Sequence, residues 1–548
     1  MKRIAKVVVA LVLALAMAIP TVAFASQATP EEQGLIPVRA FFEDAGGTVT
    51  WLYEERLIHI AIDGSEIVLL PGQPIAAVNG DLVPLEQGAV LWQNISFISE
   101  ADLMTLYSAI VPFVHLVFEL TEEARDIVLY DFEYMVNQIL ENSPWDNVVY
   151  RALGFEFELF VDLFRNFINS MQPIELPVPE PIFELLLTQF PIREGNDARD
   201  LAANYLFALL ALEFGPALGG IGHLGVRDLS VYTMQMTALV RALHDEDIDT
   251  ENDPSFNLFM AAFLHPTAVW FYGEVEVDLE SEDHPFPNVP GNIVTEILVP
   301  GEVAYLRINT FLASPEYDDL TTLPFLQQIA DYDHLIIDLR GNTGGVASYF
   351  TEFIVRRLIS ERTEIGGHQF FAGGSRATEF MNAVLHASLY MESSVDWTGV
   401  ISAEILPAAD FIYEMDMYMF NQDDLERLAY VFISRSYILP AEDSINFEGK
   451  IWLLVDGMSM SASVAAAGVA LYTGFATVVG ENTSGVMGSS HIYVPLPNTG
   501  MLWRIDIGYQ TDAQGNSLEV YGITPQIRNF DGMDAVETVL ALIAAGQY

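Results

Sequence analysis

Four short apolar runs in the second half of the chain constrain the fold most. They are Val303-Ala-Tyr-Leu-Arg-Ile308, His334-Leu-Ile-Ile-Asp338, Ile451-Trp-Leu-Leu-Val455 and Ala476-Thr-Val-Val-Gly480. Each is too short for a buried helix and too continuously apolar for a half-solvated strand. Such runs are strands covered on both faces, as in parallel sheets. Helical stretches separate them, so an α/β domain is predicted from about residue 295 to the end at 548.

The remainder of the 548 residues has a different texture. At about 150 residues per domain, such a length suggests three or four domains. Lys2, Arg3 and Lys6 precede the apolar run Val7–Ile19, and Ala23-Phe-Ala25 follows. This is the layout of a secretory signal peptide over residues 1–25, and the run is shorter than the roughly 20 residues of a bilayer span. The reading therefore places the protein outside the cytoplasm, with no stable membrane span once the signal is removed. Residues 30–107 read as short strands, with Asp63-Gly64 as a hairpin signal. Residues 101–215 are helical in period, with Leu103, Leu106, Ile110, Val114 and Phe118 recurring at three- and four-residue steps and Pro173–Pro181 interrupting the array; residues 108–225 are drawn as the helical region. Residues 226–294 form a connector. It holds an acidic stretch (Asp245, Glu246, Asp247, Asp249, Glu251 and Asp253) without EF-hand spacing, read as a solvated loop, and a Pro-rich linker over 279–292.

Charge and composition exclude several functions. Acidic residues number 75 and basic residues 23, a formal net charge of −52. Without residues 1–25 the balance is 20 bases against 75 acids, or −55. Nucleic acid is thereby a poor partner. Hydrophobic residues make up 51%, which excludes general disorder. With no cysteine there is no disulfide, thiolate metal site or cysteine nucleophile. Lysine occurs only at Lys2, Lys6 and Lys450. A high-salt habitat, an alkaline habitat and plain composition bias all fit this pattern.

Chemistry-bearing residues gather where the predicted strands end. The first site is Asp338-Leu-Arg340-Gly-Asn342-Thr-Gly344-Gly345, a strand running into a glycine turn that can expose N–H groups. The second is Ser459-Met-Ser461-Ala462-Ser463, where a strand runs into a helix of very small residues. A serine at that junction has the positive end of a helix behind it. The third is Val478-Val-Gly-Glu481-Asn-Thr483-Ser-Gly485, and Gly522-Ile-Thr-Pro-Gln526 comes last.

Together these segments resemble the C-terminal processing peptidase and tricorn-like serine peptidase family, whose motifs run D-L-R-x-N-x-G-G, S-A-S-A-S-E, V-V-G-E-x-T-x-G and G-I-x-P-D. The resemblance covers residues 301–530 and implies a crotonase-like α/β core. It places the nucleophile on Ser461 and the oxyanion donors on the N–H of Ala462 and of Gly344 or Gly345. Two departures stand out: Val486 occupies the position of the family's lysine base, and Val464 that of its glutamate. Lys450 precedes the nucleophile strand, so a Ser–Lys dyad looks excluded. No PDZ pattern appears between 226 and 300. The tricorn-like branch uses a histidine from a Gly-His motif and a late glutamate. Gly222-His223 and Glu519 resemble these, with His491 and Asp512 as rivals, and Glu481 reads as structural. Residues 34–107 are similar to the copper amine oxidase N-terminal-like module, though His59 alone cannot make a copper site.

The expected molecule is multidomain: an α/β crotonase-like peptidase core preceded by a helical region and a small β-rich N-terminal domain. It is a secreted serine endopeptidase acting on polypeptide substrate through Ser461, His223 and Glu519, with no cofactor. The β-rich module adds an expectation of cell-wall association. The alternative is an inactive pseudo-peptidase that binds peptides or cell-surface partners.

Overall fold

A computed structural model describes the chain except residues 1–34, 45–46, 53–56, 63, 70, 72–74, 80, 87–88, 93–94, 111–112, 180–190, 211–224, 245–249, 251–252, 276, 278–285, 391–397, 489, 521 and 548. The expected signal peptide, most of the acidic stretch, much of the Pro-rich linker and His223 lie outside the described residues. The chain divides into two compact units: residues 1–121, 171–196 and 228–230, and residues 122–170, 197–227 and 231–548.

The first unit is β-rich. Strands Thr48–Leu52, Leu57–Ile62, Ser65–Leu69, Ile75–Val78 and Asp81–Pro84 pair in sequence order as an antiparallel meander. Leu57–Ile62 alternates half-buried and buried residues, as a strand with one face on a core must. Ile62 pairs with Ser65, and Gly64 has φ 83°, which closes the expected two-residue hairpin. Helices Val38–Asp44 and Glu100–Ile110 contribute Val38, Phe42, Leu103 and Leu106 to this core.

Two expectations fail here. Val38–Asp44 is a helix, not the lead-in to a strand. The helical period through Val114 and Phe118 also breaks, because the helix stops at Ile110 and Phe113–Phe118 is a strand paired antiparallel with Ile174–Pro179. Positions four apart share a strand face as well as a helix face. The aromatic and β-branched run Phe-Val-His-Leu-Val-Phe decides for the strand. Its partner, inside the Pro-rich stretch, tolerates Pro177 and Pro179 in a two-stranded sheet where ladder donors are not all needed.

The second unit contains the helices Glu122–Asn142, Trp145–Leu153, Phe157–Ser170 and Ala198–Ala208, as the helical reading of this stretch expects. Asp253, last of the acidic stretch, caps the helix Pro254–Phe263 by accepting from the N–H of Ser255 and of Phe256.

The α/β part is the larger body of this unit. The strands that position the site are β1 (Ile293–Val299), β2 (Val303–Ile308), β3 (His334–Asp338), β4 (Lys450–Val455), β5 (Thr477–Gly480), β6 (His491–Pro495), β7 (Leu502–Asp506) and β8 (Ile527–Arg528), and Thr363–Ala372, Thr398–Pro407, Leu428–Ile438 and Gly508–Asp512 form a further four-stranded sheet. The central sheet has the order β1-β2-β3-β4-β5-β8. β1 is antiparallel to β2 and all later pairs are parallel. Every residue of β3 is buried, which explains its apolar centre Leu335-Ile-Ile337. Leu335, Ile337, Leu453, Val455 and Val478 face one layer, where they meet Val464, Ala467 and Ala470 of the helix α1 (Ala462–Thr473). Ile336, Trp452, Leu454 and Val479 face the other, against Ala535, Val539 and Leu542 of the C-terminal helix. The very small residues of α1 let it approach the sheet closely. β6 and β7 pair outside this sheet, and Gly225–Val226 adds to the far edge of β7.

Candidate active site

The parallel strands β3 and β4 end side by side, and the turns leaving them are stitched together. Asp456, just beyond β4, accepts from the N–H of Gly341 and of Met458 at 3.0 Å each. Ser459 Oγ donates to the Leu339 carbonyl at 2.9 Å. The first serine of the triplet therefore fastens the turn and is fully buried.

Asn342 completes the fastening. Its Nδ2 donates to the Ile308 carbonyl at 3.0 Å. Its Oδ1 accepts from the Gly344 N–H and from Ser463 Oγ, each at 2.8 Å. Its own carbonyl accepts the Met460 N–H at 3.2 Å. Asn342 thus grips the residues on both sides of Ser461.

Ser461 is the N-cap of α1 and has φ 55° and ψ −121°. A non-glycine residue in the left-handed region carries roughly 1–3 kcal/mol of strain. Strain of this kind on a strand-to-helix turn is how a nucleophilic serine is presented. Gly344, with φ 94°, lies directly against it: a β-carbon there would come within 2.8 Å of Ser461 Cβ, the Ala462 nitrogen and the Met460 carbonyl. The Gly344 N–H is spent on Asn342. Among the described residues, the N–H groups of Gly345 and Ala462 donate to no protein acceptor.

The third motif carries the site to Glu519. Ser484 N–H donates to the Ser459 carbonyl at 3.0 Å, and Met460 forms a parallel bridge with Gly485. Two residues on from Ser484, the Val486 N–H donates to the Glu519 carbonyl at 2.9 Å. The Glu519 carboxylate is buried and accepts the Gly488 N–H at 3.2 and 3.3 Å. Burial first, and the nearby Asp506 charge second, push this carboxyl up to about 8, against the pull of the backbone N–H groups around it. Ser461 and Glu519 are thereby joined through one short loop.

The two departures from the family motif both fall in packed surroundings. Val464 belongs to the core between α1 and the sheet. Val486 is buried and has φ 54°, a strained setting for a β-branched residue. Lys450 opens β4, with Nζ over the Trp452 ring at 5.2 Å. At roughly 3.3 Å per residue, it starts about 16 Å before the strand end that leads to Ser461.

The rivals are placed as follows. His491 lies on β6 in register with Asp506, and its ring meets those of Tyr493 and Phe259 at 5.2 and 5.8 Å. Asp512 accepts from the N–H of Gln514 and of Asn516 and from Asn516 Nδ2, which gives it a turn to hold. Glu481 donates its N–H to the Val455 carbonyl. His223 lies outside the described residues; Gly225, two residues on, pairs with Arg504 of β7.

Several motif residues prove architectural, which their sequence spacing alone does not reveal. Arg340 pairs with Asp338 at 2.8 Å and with Asp534 at 3.0 Å. Thr483 exchanges hydrogen bonds with Ile523, and Gln526 Oε1 accepts the Val478 N–H at 2.9 Å. Among the described residues no group of acidic and histidine side chains is arranged to hold a metal ion. No described helix is long and apolar enough to cross a membrane.

Residues 302–529 match peptidase family S41, and residues 20–104 match the copper amine oxidase N-terminal domain. The chain is thus multidomain, with a small β-rich N-terminal domain, a helical region and a C-terminal α/β domain that matches peptidase family S41 over residues 302–529. No curated protein sequence matches it. Among solved structures, a candidate peptidase of Parabacteroides merdae is 19% identical, with 47% of this chain and 65% of that one covered and a TM-score of 0.30. Mature CPAF complexed with lactacystin is 15% identical, with 48% and 55% covered and a TM-score of 0.31. The photosystem II D1 C-terminal processing protease is 15% identical, with 47% and 51% covered and a TM-score of 0.26. The chain therefore spans between about half and two thirds of these structures.

Proposed function

We propose that the S41 peptidase domain at residues 302–529 is a serine endopeptidase that cleaves extracytoplasmic polypeptides by way of an acyl-enzyme on Ser461. The observation that carries this reading is the strained Ser461 turn, held on both sides by Asn342 and packed against Gly344. The N-terminal sequence supports export, with residues 1–25 as the signal peptide.

In this reading His223 takes the Ser461 Oγ proton as Oγ attacks the scissile carbonyl. The new oxyanion is held by the N–H of Ala462 and of Gly345, since Gly344 N–H is engaged by Asn342. Each such donor typically lowers the barrier by about 3–4 kcal/mol. His223 returns the proton to the leaving amine. Water, deprotonated by the same imidazole, then releases the acid product and restores Ser461. Glu519 orients the imidazole and balances its charge. An imidazolium beside the Glu519 carboxyl draws that group back toward ionisation.

Ser461→Ala is the test. It should abolish hydrolysis of an unfolded polypeptide substrate while the melting temperature changes little; retained hydrolysis rejects the assignment. Phosphonylation of wild type by a fluorophosphonate should be absent in the variant.

Two observations favour a second reading, a pseudo-peptidase that binds peptides or surface partners. The Glu519 carboxyl at about 8 is largely neutral at pH 7, and Val486 and Val464 replace charged family residues. Fluorophosphonate inertness of the wild type at both pH 7 and pH 9 would favour it.

A further inference from the structure

The Gly345 N–H ends a hydrogen-bonded line that starts at a buried side chain outside the four motifs. A trans peptide unit joins the carbonyl of one residue to the N–H of the next, and the two point in opposite directions. The Gly344 carbonyl accepts the Phe311 N–H at 3.0 Å. The other end of that same peptide unit is the Gly345 N–H. The Phe311 N–H in turn shares its peptide unit with the Thr310 carbonyl, which accepts from Asn292 Nδ2 at 3.1 Å. Two peptide units therefore link the Asn292 amide to the Gly345 N–H, each held at its carbonyl end.

Asn292 is placed to keep that line still. It directly precedes β1 and is buried. Its Oδ1 accepts the Thr310 N–H at 2.9 Å, so its amide grips Thr310 through both backbone groups. Its Nδ2 also donates to Asp318 Oδ2 at 2.7 Å, and the same oxygen accepts from the Tyr349 hydroxyl. The Tyr349 ring stacks on that of Phe311, with centroids 5.1 Å apart. On the other side of Phe311, its carbonyl accepts the Val346 N–H at 3.0 Å, and a β-carbon on Gly345 would collide with the Phe311 carbonyl.

We propose that Asn292 is a positioning residue of the peptidase site: acting through the 310–311 and 344–345 peptide units, it aims and polarises the Gly345 N–H that holds the oxyanion. The proposal rests on the reading of Ser461 and Gly345 given above.

A donor at the carbonyl end of a peptide unit does two things to the N–H at the other end. It fixes the direction of that N–H, and it strengthens it as a donor, because linked hydrogen bonds polarise one another. Oxyanion donors are effective when they are aimed before charge develops. The Gly344-Gly345 turn has no side chains with which to set its own direction, so its neighbours must set it. Asn342 holds the Gly344 N–H, which belongs to the preceding peptide unit. The unit that carries the Gly345 N–H is left to Phe311, and Phe311 to Asn292.

The first arm of the test requires no activity. Amide hydrogen exchange is compared between wild type and Asn292→Ala. The Phe311 and Val346 amides should exchange about tenfold faster or more in the variant, while those of β4 keep their rates. Acceleration spread over the whole domain, or none at Phe311 and Val346, overturns the proposal. If Asn292→Ala does not fold, the exchanged pair Asn292→Asp/Asp318→Asn serves. It keeps an acceptor for the Thr310 N–H and a hydrogen bond between the two side chains, but leaves the Thr310 carbonyl without its donor. It should show the same local acceleration.

The second arm is kinetic. Asn292→Ala should lower kcat roughly 10- to 100-fold with KM changed less than about threefold. Inhibition by a peptide aldehyde, whose adduct on Ser461 places an oxygen in the oxyanion hole, should weaken by a similar factor. A lowered melting temperature with kcat and aldehyde inhibition unchanged overturns the proposal, even if Ser461→Ala has established the peptidase. A wild type that hydrolyses nothing and ignores the aldehyde overturns the peptidase reading, while the exchange rates still decide whether Asn292 holds the Gly344-Gly345 turn.

Discussion

Gly344 stands so close to Ser461 that a β-carbon on the glycine would fall 2.8 Å from the serine Cβ, a separation real side chains do not adopt. The φ of 94° at Gly344 is also one that side chains rarely take. The Ser461 turn and the glycine turn can therefore form together only while residue 344 lacks a side chain. Gly344→Ala is expected to abolish hydrolysis and to lower the melting temperature by several degrees. Peptidase assays and calorimetry on that variant check this; a fully active alanine variant would mean that the two turns separate in solution.

Asn342 should matter more for the shape of the site than for its chemistry. It holds Met460, Ser463 and Gly344 at once, and it is fully buried. Replacing it by alanine orphans two buried donors, at a cost of about 1–3 kcal/mol each. Ser463→Ala removes only one partner and should cost about 1 kcal/mol. The expected order of kcat is wild type, then Ser463→Ala, then Asn342→Ala, measured with one peptide substrate.

Glu519 sets a pH dependence whose sign follows from its raised folded-state value. Its ordinary value is 4.5 and the folded one is about 8. The folded state then holds a proton that the unfolded state has lost over that interval. The associated stability is fully present below about pH 4.5 and is lost as pH rises to 8. Over that span the loss amounts to several kcal/mol. Glu519→Gln cannot ionise, so its melting temperature relative to wild type should climb from pH 5 to pH 8 and level off above. A difference that does not vary with pH would show that Glu519 is not the group responsible.

Lys450 provides a negative control. It opens β4 at the far end from the turn that leads to Ser461, beside Trp452. Lys450→Met should keep kcat/KM within about twofold of wild type. A large loss would revive a lysine base.

The sheet strands were legible because burial on both faces leaves an unbroken apolar signature: His334–Asp338 reads as a strand and is one, buried throughout. The reading failed at Phe113–Phe118, because a four-residue recurrence is shared by helix and strand faces and only pairing with Ile174–Pro179 resolves it. Four motif segments pointed to Ser461 and Glu519, since they need particular backbone shapes that leave a trace in glycine and serine spacing. The grip of Asn342 on Ile308 and Ser463 left no such trace. Those partners lie more than thirty residues away, and a single sequence carries no record of distance.

By itself, then, the sequence determined the buried strands of the α/β domain, the serine at the strand-to-helix turn and the scarcity of lysine. Each of these depends on local pattern, composition or chain connectivity. Only the tertiary structure decided which N–H groups beside Ser461 are engaged, with that of Gly344 given to Asn342. It likewise decided that Glu519 is a buried carboxyl facing Asp506. Hydrogen-bond partners and desolvation are set by which segments pack together, and packing is a property of the whole chain.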